Sequence, residues 1–162
     1  MLVITDLSAT NQSSKGLQIL HKISTSLFIL FLVLFSQAHA KPIESKEKAD
    51  KVSQYFMDQV LKGEIEAAYS LLSAYVGIDL EQFIERGKKV ANDMKQLEKS
   101  SGKPLSFDLL ETQSVGEHFY KITYLLKYET VALIWSMNYY QPDQGWKLVD
   151  VSFNGDINSL FK

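Results

Sequence analysis

The hydrophobic period of this chain changes once, at Pro104, and that change restricts the fold more than any other feature. Before Pro104, apolar residues recur every three or four positions. They run Ala49, Val52, Phe56, Met57, Val60 and Leu61; then Ile65, Ala68, Tyr69, Leu72 and Val76; then Leu80, Phe83, Ile84, Val90, Met94 and Leu97. Such spacing stripes one side of an α-helix. Gly63 and Gly77 are placed to end the first two helices. Asp79 with Gln82 is placed to cap the third, at capping-box spacing. Gly87 falls inside the third helix, where it costs about 1 kcal/mol against alanine, so it points to a close approach by a neighbour. Ser100 to Pro104 reads as the loop that closes the helical half.

After Pro104 the period is two. Strands are expected from Leu105 to Ser114, Phe119 to Tyr128, Val131 to Tyr140 and Trp146 to Phe153. Turn residues separate them: Val115-Gly116-Glu117, Glu129-Thr130 and Gln141-Pro142-Asp143-Gln144-Gly145. Asn154-Gly155-Asp156 leads into a short terminal helix, Ile157 to Phe161. The connections are too short for crossovers, so the strands form an antiparallel meander. Helices followed by strands give an α+β domain, with N-terminal helices packed on a curved four-stranded antiparallel sheet. In the second strand, Tyr120, Ile122, Tyr124, Leu126 and Tyr128 make the face expected to be buried. The third strand is apolar on both faces, which calls for cover on both sides or a partner.

Residues 1–40 carry an address. The nine-residue apolar run Leu27 to Phe35 follows Lys15, His21 and Lys22 and precedes Ala38-His39-Ala40. This is the pattern of a secretory signal peptide cleaved after Ala40. The run is shorter than the roughly 20 residues that span a bilayer, so no stable membrane span is expected after cleavage. The working domain is then 41–162, periplasmic or secreted. It holds fifteen basic and eighteen acidic residues without a basic stripe, which argues against nucleic acid as a partner. The chain has no cysteine, which removes disulfides, thiolate metal sites and thiol catalysis. His118 is the one imidazole left after cleavage, so a His-rich zinc site is excluded within one chain. No metal and no cofactor is expected.

The order of elements, together with Phe56-Met57, Gly63-Glu64, Ala67-Ala68-Tyr69, Trp135, Tyr140-Gln141-Pro142, Gly145-Trp146, Val151-Ser152-Phe153 and Leu160-Phe161, resembles the nuclear-transport-factor-two-like, or cystatin-like, superfamily. More narrowly it is similar to small exported bacterial members of unknown function. The resemblance implies a cone-shaped fold with a pocket between sheet and helices. Its members include isomerases, dehydratases, ligand binders and non-catalytic dimerisation modules, so fold does not choose a function.

Enzymes of this shape need a base near the substrate and a neutral donor in an apolar site. No such catalytic set maps onto this chain residue by residue. His118 beside a turn reads as a solvated turn residue, with a base at the pocket mouth as the sharper reading. Tyr124, Tyr128, Trp135 and Tyr139 are the candidates for lining a pocket, against the plain reading that they are core rings. Asp150 alternates with Trp146 and Leu148, opposite Val149, Val151 and Phe153. Facing inward it is a buried carboxylate in need of a partner; facing outward, the favoured reading, it is an edge charge. The expected role is a non-catalytic exported domain that binds a small apolar ligand or an envelope partner in the cone. The alternatives are a pocket enzyme using tyrosine and a carboxylate, and a module with a filled cone that forms a homodimer through the outer sheet face, Ile134 included.

Overall fold

The computed structural model describes residues 41–161. The expected signal segment and its cleavage site lie outside the described residues. Helix α1 (Lys46–Leu61) begins at Ser45, whose hydroxyl accepts from the Lys48 amide at 3.2 Å. It ends in a Schellman turn: Gly63 N–H donates to the Val60 carbonyl at 3.0 Å and Glu64 N–H to Gln59 at 2.9 Å. Gly63 sits at φ 80°, so the expected stop is the observed one. Helix α3 (Leu80–Ser101) starts where Asp79 accepts from the Gln82 amide at 2.8 Å. It runs on through Ser100 and Ser101, expected as loop, and stops at Gly102 with φ 74°.

Helix α2 departs from expectation. It covers Ile65–Leu72 and passes through a 3-10 turn at Ser73–Tyr75, so Val76 is not on its stripe. Val76 is extended and bridges Leu148, and Gly77 N–H donates to the Leu148 carbonyl at 2.8 Å. Gly77 therefore serves the sheet edge rather than a helix end. A Cβ there would lie 2.9 Å from Lys147 Cβ, which explains the small residue. Gly87 of α3 meets its expectation: a Cβ would lie 2.6 Å from Tyr69 Cγ, so the ring packs directly on helix backbone.

Strands β1 (Ser106–Val115), β2 (Phe119–Lys127), β3 (Ala132–Tyr140) and β4 (Lys147–Asn154) form one open antiparallel sheet in that order. The three α-helices pack against one face, as an α+β domain. The β2 pattern holds, since Tyr120, Ile122, Tyr124, Leu126 and Tyr128 are all buried. Strand β4 does not keep one alternation. Tyr139 pairs with Leu148 and Asn138 with Asp150, so Val149 is an extra residue in a bulge. Leu148 before the bulge and Val151 after it are both buried, whereas Val149 is not. The expected apolar side of Val149, Val151 and Phe153 is thus split by one residue of register.

The core is a chain of rings. Phe56 meets Tyr69 at 5.6 Å and Trp135 at 5.5 Å, Tyr69 meets Phe83 at 4.9 Å, and Trp135 stacks on Phe153 at 4.9 Å. On the other side of the sheet, the 3-10 turn Ile157–Phe161 lies against β3. Ile134, on that outer side, is only 4% exposed within the single chain. This corrects the expectation that Ile134 is presented to a partner. A charge there strikes the monomer before it can report on assembly. Among the described residues, no helix is long and apolar enough to cross a membrane.

Candidate functional site

Two surfaces of the sheet compete for a role. The inner one holds the tyrosines and Trp135 singled out from the sequence. Trp135 and Tyr139 are fully buried, and Tyr124 and Tyr128 nearly so. Two of the hydroxyls reach the helices. The Tyr139 hydroxyl lies 2.6 Å from Ser53 Oγ of α1, and the Tyr128 hydroxyl donates to Met94 Sδ of α3 at 3.8 Å. At the rim, Tyr120 donates to Asp50 Oδ1 at 2.6 Å, while Lys46 Nζ sits 5.2 Å from its ring centre. Burial raises the Tyr139, Tyr124 and Tyr128 hydroxyls above the ordinary tyrosine range. Tyr120 is pushed up to about 12, by burial and then by its bond to Asp50. These phenols are neutral hydrogen-bonding groups at ordinary pH.

The inner surface is therefore filled with rings, and the Tyr139 and Tyr128 hydroxyls are engaged with α1 and α3. Tyr69 Oη and Trp135 Nε1 are the buried exceptions on this side, without a hydrogen-bond partner among the described residues. Burial also raises the Tyr69 hydroxyl strongly, with the nearby Arg86 cation opposing and the Asp150 anion reinforcing the shift. Sequence reading overlooked Ser53 and Asp50. Ser53 interrupts the apolar stripe between Val52 and Phe56, and a polar residue on a buried stripe signals a buried partner.

Asp150 lies on the opposite face of the sheet from the tyrosine rings. Its register partner Asn138 lies on the outer face, and Asn138 Nδ2 donates to Asp150 Oδ2 at 3.3 Å. Arg86 of α3 reaches around the sheet edge to Asp150 Oδ1 at 3.2 Å. The two side chains keep 45% and 36% of their surface, so this is a solvated edge pair. His118 is a solvated turn residue, its Nδ1 3.0 Å from the Gln141 carbonyl. Among the described residues, no three His, Asp or Glu side chains gather as a metal set.

The outer face is where space opens. A groove of about 420 Å³ is lined by Val115, Phe119, Lys121, Asn138, Val149 and Asp150, and also by Gln113 and by Tyr120 and Tyr139, whose rings belong to the inner face. Phe119 and Tyr140 stack at 5.0 Å along its border. Val115 is 71% and Phe119 51% exposed, far more than rings or branched chains on the inner face. A second groove of about 480 Å³ adjoins it through Gln113 and Lys121 and extends to Leu160.

The molecule is thus an α+β domain of three helices on an open four-stranded antiparallel sheet, closed on one face and grooved on the other. No family model matches the chain, and no curated protein does. Among solved structures it is similar to a DUF4783 family protein from Bacteroides ovatus. The identity is 9% over 59% of this chain and 91% of that one, with a TM-score of 0.35.

Proposed function

We propose that this domain is a non-catalytic interaction module of the cystatin-like kind, exported by its N-terminal segment, and that it works through the outer face of its sheet. One contrast carries the reading: the inner face is filled by Phe56, Tyr69, Trp135 and Tyr139, while the outer face holds an open apolar groove beside an exposed Phe119–Tyr140 stack. A pocket enzyme needs a carboxylate and a neutral donor converging on open space. Here Tyr139 and Tyr128 are tied to Ser53 and Met94, and Asp150 lies on the opposite face. Exposed apolar area rimmed by polar side chains is the usual mark of a binding surface.

The test is binding of the apolar dye anilinonaphthalene sulfonate to the protein purified from cells expressing the full chain. Fluorescence should rise on the folded protein and fall several-fold in Phe119→Ser and Val115→Ser. Tyr128→Phe should leave it unchanged. Dye binding controlled by the inner tyrosines instead would return the function to the cone.

A further inference from the structure

We infer that the 3-10 turn Ile157–Phe161 is a displaceable cover that holds one end of the outer face closed, so that its release gates binding there; the inference rests on the reading of that face as the working surface. The rungs of the sheet show what the turn covers. Phe119 pairs with Tyr140 at the groove end, and both stay exposed. Further along the same face, Thr123 pairs with Ser136 and Leu125 with Ile134. Thr123 is 2% and Ile134 4% exposed, although the three α-helices lie on the other side of the sheet. The 3-10 turn lies against β3 on this side. Its Ser159 and Leu160 border the second groove together with Glu111 and Lys121, so the turn overhangs this stretch of the strands.

The cover is lightly held. The Ile157 amide donates to the Gly155 carbonyl at 3.0 Å and the Ser159 amide to the Asp156 carbonyl at 3.2 Å. The Asn158 amide donates to Asp156 Oδ1 at 3.2 Å and the Ser159 hydroxyl to the Asp156 carbonyl at 2.7 Å. Among the described residues, no hydrogen bond or ion pair runs from the turn to a strand. Its apolar side chains are only partly packed, with Ile157, Leu160 and Phe161 all exposed. What lies beneath is not satisfied either: Thr123 Oγ1 is buried without a hydrogen-bond partner among the described residues. An unpaired buried hydroxyl opposes the closed state, and water or a ligand satisfies it in the open one. A segment held by a few apolar contacts opens locally, at less cost than unfolding the sheet. With the turn lifted, the groove at Phe119 and Lys121 continues to Thr123, Ser136 and Ile134.

The experiment exploits the absence of cysteine from the chain. Thr123→Cys places a single thiol under the turn, and its reaction with dithionitrobenzoate reports opening. Labelling should proceed far below the unfolding transition, at a rate nearly independent of low urea, because the opening exposes little surface. Ending the chain after Gly155 should speed labelling about tenfold or more, since no opening then precedes reaction. The same truncation without the thiol should raise anilinonaphthalene sulfonate fluorescence about twofold or more, as more apolar floor is uncovered. Leu160→Asp in the full chain should move both readouts in the same direction, and it decides the matter if circular dichroism shows the shortened chain unfolded. Labelling that carries the full urea dependence of global unfolding overturns the cover. So does a shortened, folded chain whose dye fluorescence matches that of the full chain. Dye fluorescence that rises on truncation but ignores Phe119→Ser overturns the reading of the groove instead.

Discussion

The two faces of one sheet have the same backbone and opposite chemistry. On the inner face, four helical and strand rings meet at centroid spacings of 4.9 to 5.6 Å. The Tyr139 hydroxyl lies at hydrogen-bond distance from a helix serine there. On the outer face, Phe119 and Tyr140 also stack, at 5.0 Å, but in contact with solvent. The difference lies in what covers each face. Three helices lie over the first, and a single terminal turn over part of the second. Buried area makes the inner face the source of stability, and open apolar area makes the outer face the place for an encounter.

Alkali should break the inner face most completely. In the unfolded chain tyrosine loses its proton near pH 10, whereas Tyr120 is held to about 12 and Tyr69, Tyr124, Tyr128 and Tyr139 are also raised. Above pH 10 the unfolded state therefore binds fewer protons than the folded one. The tyrosine contribution is fully present below pH 10 and is lost as pH rises toward and beyond 12, at about 1.4 kcal/mol per ring per pH unit. Ellipticity should collapse in the same pH interval in which tyrosinate absorbance at these rings appears. Tyrosinate appearing first, with the fold intact, would show the inner face to be wet.

Substitution sharpens the contrast. Trp135→Ala should lower unfolding free energy by about 3–5 kcal/mol in urea titration, because it empties the position between Phe56 and Phe153. Phe119→Ser, by contrast, should change it by less than about 1 kcal/mol, since half of that ring is already exposed. Equal losses at the two sites would erase the distinction between the faces.

Ser53→Ala should cost about 1–3 kcal/mol by leaving the buried Tyr139 hydroxyl without its partner. Adding Tyr139→Phe should recover part of that loss, which a double-mutant cycle reads directly. The smallest effect belongs to the edge. Arg86→Ala removes a solvated pair with Asp150 and should move stability by no more than about 1 kcal/mol, with the difference shrinking in high salt.

Much of the fold was legible because local chemistry and tertiary need coincided. Gly63 supplies the positive φ of a Schellman turn, Asp79 caps α3, and Gly87 leaves room for Tyr69. The alternation from Tyr120 to Tyr128 survives intact because both neighbours of β2 pair along it. Where the reading departed, a neighbouring element overruled the local pattern. Val76 and Gly77 leave the helical path to bond the open edge of β4, whose Leu148 carbonyl needs a donor. The Val149 bulge shifts every later residue of β4 to the opposite parity, and no alternation rule announces a bulge. Of the site candidates, Tyr124, Tyr128, Trp135 and Tyr139 share the inner face and Asp150 stands apart on the outer one.

The sequence by itself determined the α+β class, the order of elements and the absence of cysteine chemistry, because period, caps and composition are properties of contiguous residues. Only tertiary structure decided which atoms share a surface. Ser53 meets Tyr139 across 86 positions, and Lys121, Asn138 and Asp150 form a row only through the register of three strands. Register is set by many weak pairings acting together and by a single extra residue at Val149, so it belongs to the assembled sheet and to no one of its strands.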